Sequence, residues 1–155
     1  MLYWLMKSEP DEFSIDDLAR DKTTPWFGVR NFQARNFMMK EMQVGDGVLF
    51  YHSSCPEPGI AGIAAVHSAA YPDATQFERS SPYYDAASRR ESPRWFNVDV
   101  KFVKKTRFVP LAELKSHPDL SSMRVLARGN RLSITPVDPV HWKIITRRLM
   151  GETGL

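Results

Sequence analysis

The most informative stretch of the chain is WFGVRNFQARN, residues 26–36, which follows the strand-like run YWLMKSEP at residues 3–10. Both stretches set aromatic rings beside amide, hydroxyl or guanidinium groups. A base lifted out of a nucleic acid needs an aromatic face to replace its lost stacking, polar groups that read its edge, and cations for the flanking phosphates. The N-terminal part of the chain carries side chains of all three kinds.

Blocks along the whole chain, these two included, resemble the EVE domain family in sequence and in order. They lie at residues 3–10, 26–36, 50–53, 59–64, 71–73, 81–85, 95–103 and 131–133. The resemblance implies a mixed α/β (α+β) fold, a PUA-like β-barrel flanked by short helices and related to the YTH readers of methylated adenine. It also implies a protein that binds a modified base in DNA or RNA without transforming it.

Length and composition indicate a single domain over residues 1–155, with 43% hydrophobic and 25% charged residues. The single cysteine, Cys55, excludes an internal disulfide and a thiolate metal cluster, so we expect a reducing, cytoplasmic location. The apolar runs are far shorter than the ~20 residues of a membrane helix, and no signal peptide is visible. No P-loop, dinucleotide-binding or zinc motif occurs, so we expect no membrane, cofactor or metal ion as partner.

The net charge of +3 conceals an uneven distribution. Residues 1–74 carry six Lys and Arg against ten Asp and Glu, and residues 75–155 carry fifteen against eight. Arginines crowd one predicted loop at positions 79, 89, 90 and 94. Such a basic surface attracts phosphates, although a solvated, solubilising face explains the charge equally well.

Local patterns predict short strands and helices. Residues 2–6 form an apolar run typical of a buried strand. Ser14, with Asp17 at the capping-box spacing, begins a helix to about residue 20, and Asn31 caps a second helix through residue 42. Later in the chain, Pro110 can occupy the first position of a short helix, and Asp138 caps a C-terminal helix.

The middle of the chain reads as strands separated by a long loop. Residues 48–52 and 60–67 are apolar, follow a glycine turn and are expected to be neighbouring strands. Residues 74–94 lack apolar periodicity and predict a long ordered loop, and loops of this length are usually functional. Residues 95–103 alternate between apolar and polar side chains, which predicts a strand with one buried face.

Trp26 is the main candidate for a stacking residue. From sequence alone, core packing is favoured over ligand stacking, because large aromatic side chains mostly pack in cores. The resemblance reverses that order, since a tryptophan at the corresponding place in the YTH readers forms a wall of the base cage.

Three polar candidates, Lys7, Ser8 and Glu9, sit where the first strand ends. Ser8 can donate and accept hydrogen bonds, and Glu9 can accept from an exocyclic amine. Capping of the turn at residues 11–13 is an equally good explanation for Ser8 and Glu9. The resemblance favours a pocket role for Ser8 more strongly than for Lys7, whose side chain can extend into solvent.

Asn31 offers two hydrogen bonds to a base edge, in competition with its role as a helix cap. The guanidinium groups of Arg30 and Arg35 are suited to bind phosphates, as are those of the arginines at 89–94. For Arg30 and Arg35 the alternative is a salt bridge to Asp16, Asp17 or Asp21.

Two tyrosine-containing segments offer a second aromatic wall. Tyr51 and Ser53 lie at the end of a strand, and Tyr83 and Tyr84 lie in the long loop, from which a ring can close over a ligand. Attachment of the loop to the barrel is the alternative role.

Catalysis has weak support in the sequence. His52 and Cys55 are three residues apart, but no helix enforces their contact and no third group orients the histidine. We therefore expect a non-catalytic reader. The alternatives are a small base-processing or hydrolytic enzyme and a protein-interaction module.

Overall fold

A six-stranded mixed sheet organises the computed structural model, which describes residues 1–154. The strands are β1 (Tyr3–Ser8), β2 (Thr23–Pro25), β3 (Gly47–His52), β4 (Gly59–Val66), β5 (Tyr71–Pro72), β6 (Phe96–Asn97), β7 (Asp99–Pro110) and β8 (Ile134–Val137). Six of them form the sheet in the order β2-β7-β4-β3-β1-β8, and β5 pairs with β6. The β1–β3 pair is parallel, and the other pairs are antiparallel.

The sheet has a hydrophobic cluster on each face. Along β1 the alternation of a strand sends Trp4 and Met6 into one cluster and Leu5 into the other. Neighbouring β3 divides in the same way, with Phe50 beside Trp4 and Met6, and Leu49 beside Leu5. Burial on both faces explains why these strands read as continuous apolar runs in the sequence.

The helices are short and lie around the sheet. They are α1 (Ile15–Asp21), α2 (Phe32–Asn36), α3 (Leu111–Ser116) and α4 (Pro139–Lys143). The π-helical segments Phe37–Glu41 and Ile144–Leu149 directly follow α2 and α4. Both long predicted helices are therefore present, but each changes from α-helical to π-helical hydrogen bonding. No helix within residues 1–154 combines the length and apolar character needed to cross a bilayer.

Helix caps follow the sequence closely. The Ser14 N–H donates to the Asp17 carboxylate at 2.8 Å and the Asp17 N–H donates to the Ser14 hydroxyl at 3.2 Å, which completes the predicted capping box. Asp138 accepts from the Val140 N–H at 2.8 Å. Pro110 stands one position earlier than predicted, as the N-cap of α3.

The strand predicted over residues 95–103 is divided in the structure. Its first part belongs to β6, and β7 begins at Asp99 and continues to Pro110. Val98 and Val100 are fully buried as predicted, but Asn97, expected on the polar face, is buried as well. Strand β2, which pairs with β7, was not predicted.

The predicted long ordered loop is confirmed, apart from one 3₁₀ turn at Ala74–Phe77. The buried side chain of Gln76 organises this loop. Its amide nitrogen donates to the carbonyls of Asp73 and Trp95. Its amide oxygen accepts from the Ser88 hydroxyl and from the backbone N–H of Trp95. All four hydrogen-bonding positions of the side chain are thus used. A loop fixed in this way can present side chains as rigidly as a strand does.

Candidate nucleic-acid interface

A cleft of about 680 Å³ opens at the carboxyl end of β1. It contains seven of the residues proposed from the sequence, namely Lys7, Ser8, Glu9, Trp26, Arg30, Ser53 and Tyr83. The remaining lining residues were not singled out as site residues from the sequence: Glu12, Phe13, Thr24, Pro25, Phe27, Gly28, Val29, Ser54, Arg131 and Ser133. Most of these lie in turns and loops, where no periodic pattern indicates which way a side chain points.

The topology of the sheet brings the polar lining residues together. Because β1 and β3 are parallel neighbours, their carboxyl ends meet at one edge, and the Ser53 N–H donates to the Ser8 carbonyl at 3.0 Å. On the other side of β1 the Lys7 N–H donates to the Ser133 carbonyl at 2.8 Å. Burial lowers the pKa of Lys7. Three separate parts of the chain therefore contribute polar groups to one rim.

Ser8 and Glu9 hold the turn after β1 and also line the cleft. The Ser8 hydroxyl donates to the Phe13 carbonyl at 2.6 Å, and the Glu9 carbonyl accepts from the N–H groups of Glu12 and Phe13. These bonds hold the turn after β1. The Ser8 oxygen still has acceptor capacity, and both side chains line the cleft.

Trp26 both packs in the core and lines the cleft. Its side chain is 9% exposed and meets Phe50 edge to face, with 5.7 Å between ring centroids. The backbone N–H of Trp26 donates to the Val98 carbonyl at 2.8 Å, which extends the pairing beyond β2. The two roles weighed for Trp26 are therefore compatible: one part of the indole anchors the loop while another faces the cleft.

Gly28 brings the ring of Tyr83 close to the backbone after Trp26. The glycine has a φ of +84°, and a Cβ placed there would lie 2.8 Å from a ring carbon of Tyr83. Phe27 meets the same ring edge to face, with centroids 5.9 Å apart. Only glycine combines this positive φ with the room for a ring. Tyr83, rather than Tyr84, is thus the loop tyrosine that lines the cleft.

Arg30 fastens the Trp26 loop to the long loop. Its guanidinium donates to the Asp73 carboxylate at 3.0 Å, to the Thr75 hydroxyl at 3.1 Å, to the Val29 carbonyl at 3.0 Å and twice to the Tyr83 carbonyl, at 2.7 and 3.1 Å. All five N–H groups are engaged. Arg30 therefore has no donor left for a phosphate in this arrangement, and its acidic partner is Asp73 rather than the residues of α1.

Asp73 is the buried centre of this attachment. Its side chain is fully buried and accepts from the Gly28 N–H at 2.8 Å as well as from Arg30. Burial acts to raise the pKa of Asp73, but hydrogen bonds from Thr75, Gly28 and Arg30 outweigh it, so the pKa is lowered overall. The ionised form of Asp73 is the one that holds the two loops together.

Four of the proposed site residues lie outside the lining of the cleft. The Asn31 side chain caps α2 by accepting from the Ala34 N–H at 3.0 Å. Arg35 donates to the Arg94 carbonyl at 2.8 Å. Tyr51 is buried within β3, and burial raises its pKa to about 12. Tyr84 is exposed.

His52 and Cys55 are engaged separately. His52 accepts from the Ile15 N–H at 3.1 Å through Nε2, and burial lowers its pKa. The Cys55 thiol lies 3.5 Å from the Glu57 carbonyl. The ring nitrogen that would serve as a general base already supports the start of α1, so the structure offers no paired nucleophile and base here.

The arginines of the long loop that the sequence emphasised do not line the cleft. Arg94 pairs with Asp85 at 3.6 Å, and Arg90 lies over the Phe77 ring at 4.7 Å. Arg131 lines the cleft, and Arg128 lies three residues away on the same exposed segment. The cleft also contains two carboxylates, Glu9 and Glu12. Lys7 and Arg30 line it too, so the lining of the cleft is mixed in charge.

Comparisons with known proteins agree on one family. The EVE domain model matches residues 2–148. Human thymocyte nuclear protein 1 is 48% identical over 155 aligned residues, which cover 87% of this chain and 68% of the human protein. The chicken protein of the same name is 46% identical, and the match covers 63% of its length. The chain thus spans about two thirds of these relatives.

Solved structures extend the similarity to the fold. The human THYN1 protein in complex with 5-methylcytosine-containing DNA is similar with a TM-score of 0.91 at 43% identity, covering 99% of this chain and 100% of that chain. A Pseudomonas putida protein is similar with a TM-score of 0.89 at 50% identity, covering 92% and 96%. The predicted α+β, PUA-like fold is confirmed. With 46–48% identity to the thymocyte nuclear proteins and a family match over nearly its whole length, this chain belongs to the EVE domain family.

Proposed function

We propose that this protein is a non-catalytic reader that binds a modified base of DNA in the cleft beside Trp26 and Tyr83. The observation that carries the proposal is the complex of human THYN1 with 5-methylcytosine-containing DNA, a structure similar to this chain over 99% of its length. The cleft supports it with aromatic and polar groups on a rigid frame. We also propose that the protein can bind RNA that carries a modified base, and that it is located in the cytoplasm.

The base must leave the helix to reach these groups. Its edges are paired and its faces are stacked inside a duplex, and proteins that read a whole base rotate it outward into a pocket. The cleft volume of about 680 Å³ exceeds what one base requires, so sugar and solvent can enter with it. Trp26 and Tyr83 supply aromatic surface that replaces part of the lost stacking.

Polar lining residues suit the edge of a cytosine. Cytosine presents an exocyclic amine, and carboxylates are its usual acceptors in proteins. Glu9 and Glu12 both line the cleft, and the Ser8 oxygen can accept as well.

The methyl group of a modified cytosine adds apolar contact area. Burying one methyl group against an aromatic wall contributes ~1 kcal/mol, which is a factor of about five in affinity. Discrimination of this size depends on contact with the ring walls. We therefore assign recognition of the methyl group to Trp26 and Tyr83.

Phosphate contacts are assigned to the exposed segment that ends at the cleft. Arg131 lines the cleft, and Arg128 precedes it on the same segment. Arginines placed beside a base pocket neutralise the phosphates that flank the extruded nucleotide. Arg30 instead positions the loops, because all its donors are directed to protein acceptors, and Arg35 lies outside the lining of the cleft and donates to the Arg94 carbonyl.

Two adjacent tyrosines provide the test of the site. We expect Tyr83→Ala to weaken binding to a duplex with one 5-methylcytosine by about tenfold, since stacking contributes ~1–3 kcal/mol per base. Tyr84→Ala is the matched control, because Tyr84 does not line the cleft. Its affinity should stay within twofold of the wild type. Equal losses in the two variants would place the base elsewhere.

A further inference from the structure

Phe27 stands out because it is an exposed aromatic residue within a rigid site. Its side chain is 50% exposed, whereas the adjoining Trp26 is 9% exposed, and both line the cleft. Leaving a phenyl ring half in water forgoes the burial that stabilises most aromatic residues. The core does not need this ring, so it is available for contact with a partner.

The backbone around Phe27 is fixed on both sides. The backbone N–H of Trp26 donates to the Val98 carbonyl at 2.8 Å. The backbone N–H of Gly28 donates to the Asp73 carboxylate at 2.8 Å. The Tyr83 and Phe27 rings meet edge to face, with 5.9 Å between centroids. A ring held in this way loses little conformational freedom when it contacts a ligand, so more of its contact energy appears as affinity.

We propose that Phe27 inserts into the base stack of duplex DNA and fills the space left by the extruded base. The inference rests on the proposed function, because the gap exists only if a base moves into the cleft. Extrusion costs a few kcal/mol in lost pairing and stacking. An apolar side chain placed between base steps offsets part of that cost, and Phe27 is the most exposed aromatic residue of the lining.

Insertion and pocket contact have different consequences for affinity. A residue of the pocket wall contributes equally whether or not the modified base is paired in the free DNA. A residue that fills the gap also packs against the guanine left without its partner, so it contributes more on the paired duplex than on a duplex that has no base opposite. Two duplexes of equal length and charge separate these roles: one with 5-methylcytosine opposite guanine, and one with 5-methylcytosine opposite an abasic site.

Phe27→Ala is expected to weaken binding to the paired duplex about tenfold and to the abasic-opposed duplex less than threefold. Phe27→Leu keeps an apolar side chain and should recover part of the loss. Phe32→Ala is the matched control, because Phe32 is 47% exposed but does not line the cleft. Thermal unfolding of each variant shows whether the fold is retained.

Two results would overturn the inference. Equal losses of Phe27→Ala on both duplexes would make Phe27 an ordinary wall of the pocket, and unchanged binding to both would leave it a solvent-exposed ring. Failure of the proposed function looks different. In that case the wild-type protein itself would show no preference for 5-methylcytosine over cytosine in either duplex.

Discussion

Arg30 and Asp73 form an ion pair, with 3.0 Å between Nη1 and Oδ2, that joins the two loops carrying the aromatic residues of the cleft. The Arg30 guanidinium also holds the Tyr83 carbonyl, and the Asp73 carboxylate also holds the Gly28 N–H. The pair thus fixes Tyr83 relative to Trp26. A stacking site requires this because ring contacts weaken steeply when spacing changes.

We first predict that Asp73→Ala destabilises the protein by about 3 kcal/mol, because it leaves the Arg30 charge and the Gly28 N–H without their acceptor in a buried setting. Denaturant unfolding monitored by tryptophan fluorescence measures the change. Asp119→Ala, which removes an exposed ion pair with Arg148, is the control and should leave the midpoint unchanged. Equal effects of the two substitutions would refute a structural role for the Arg30–Asp73 pair.

The pH dependence of stability provides a second prediction. The pKa of Asp73 is lowered below its usual value of 3.8, so its ionised form stabilises the fold. That contribution is fully present above pH 3.8 and is lost as pH falls through the lower folded-state pKa. The stability difference between wild type and Asp73→Asn should therefore shrink below about pH 4. A difference that stays constant from pH 7 to pH 3 would contradict this assignment.

Substitutions of Trp26 separate its two roles. Trp26→Ala removes a ring packed on Phe50 and should cost ~3–5 kcal/mol of stability as well as binding. Trp26→Phe keeps most of the core contact, so its stability loss should stay below ~1.5 kcal/mol. We expect Trp26→Phe to fold and to bind a modified duplex several-fold more weakly. Unchanged affinity in Trp26→Phe would show that the indole serves only the core.

Salt dependence distinguishes the two groups of arginines. Replacing Arg128 and Arg131 by Ala should reduce the slope of log affinity against log salt by up to ~1.8, since each phosphate contact in duplex DNA contributes ~0.9. The double substitution of Arg89 and Arg90 removes the same charge at a distance from the lining of the cleft. Its slope should change less. If the slope instead fell more in the variant of Arg89 and Arg90, the long loop would be the phosphate-binding surface, as the sequence first indicated.

Local signals in the sequence predicted local structure well. The capping box of Ser14 with Asp17 and the apolar run of β1 depend on residues close together in the chain, and both are present. Strand β2 was missed because three residues of mixed polarity become a strand only by pairing with β7, some 75 positions later. Its pairing follows from topology and not from its own composition.

The site could be predicted in part for the same reason. Ser8 was identified at the end of the first strand and Trp26 through the family resemblance, and both line one cleft. Arg30 was assigned to phosphate because its partner Asp73 lies 43 residues away. Asn31 carries signals for both a helix cap and a base contact, and in the structure it makes the cap. Glu12 and Arg131 reach the cleft from a turn and a loop, so no spacing pattern marked them.

The most direct measurement is a pair of equilibrium titrations with one duplex sequence, carrying either a single 5-methylcytosine or cytosine at the same position. The methyl group should increase affinity by about fivefold or more. The DNA should be recovered chemically unchanged after prolonged incubation. Equal affinity for the two duplexes, or conversion of the methylated base, would contradict the account of this protein as a reader of modified bases.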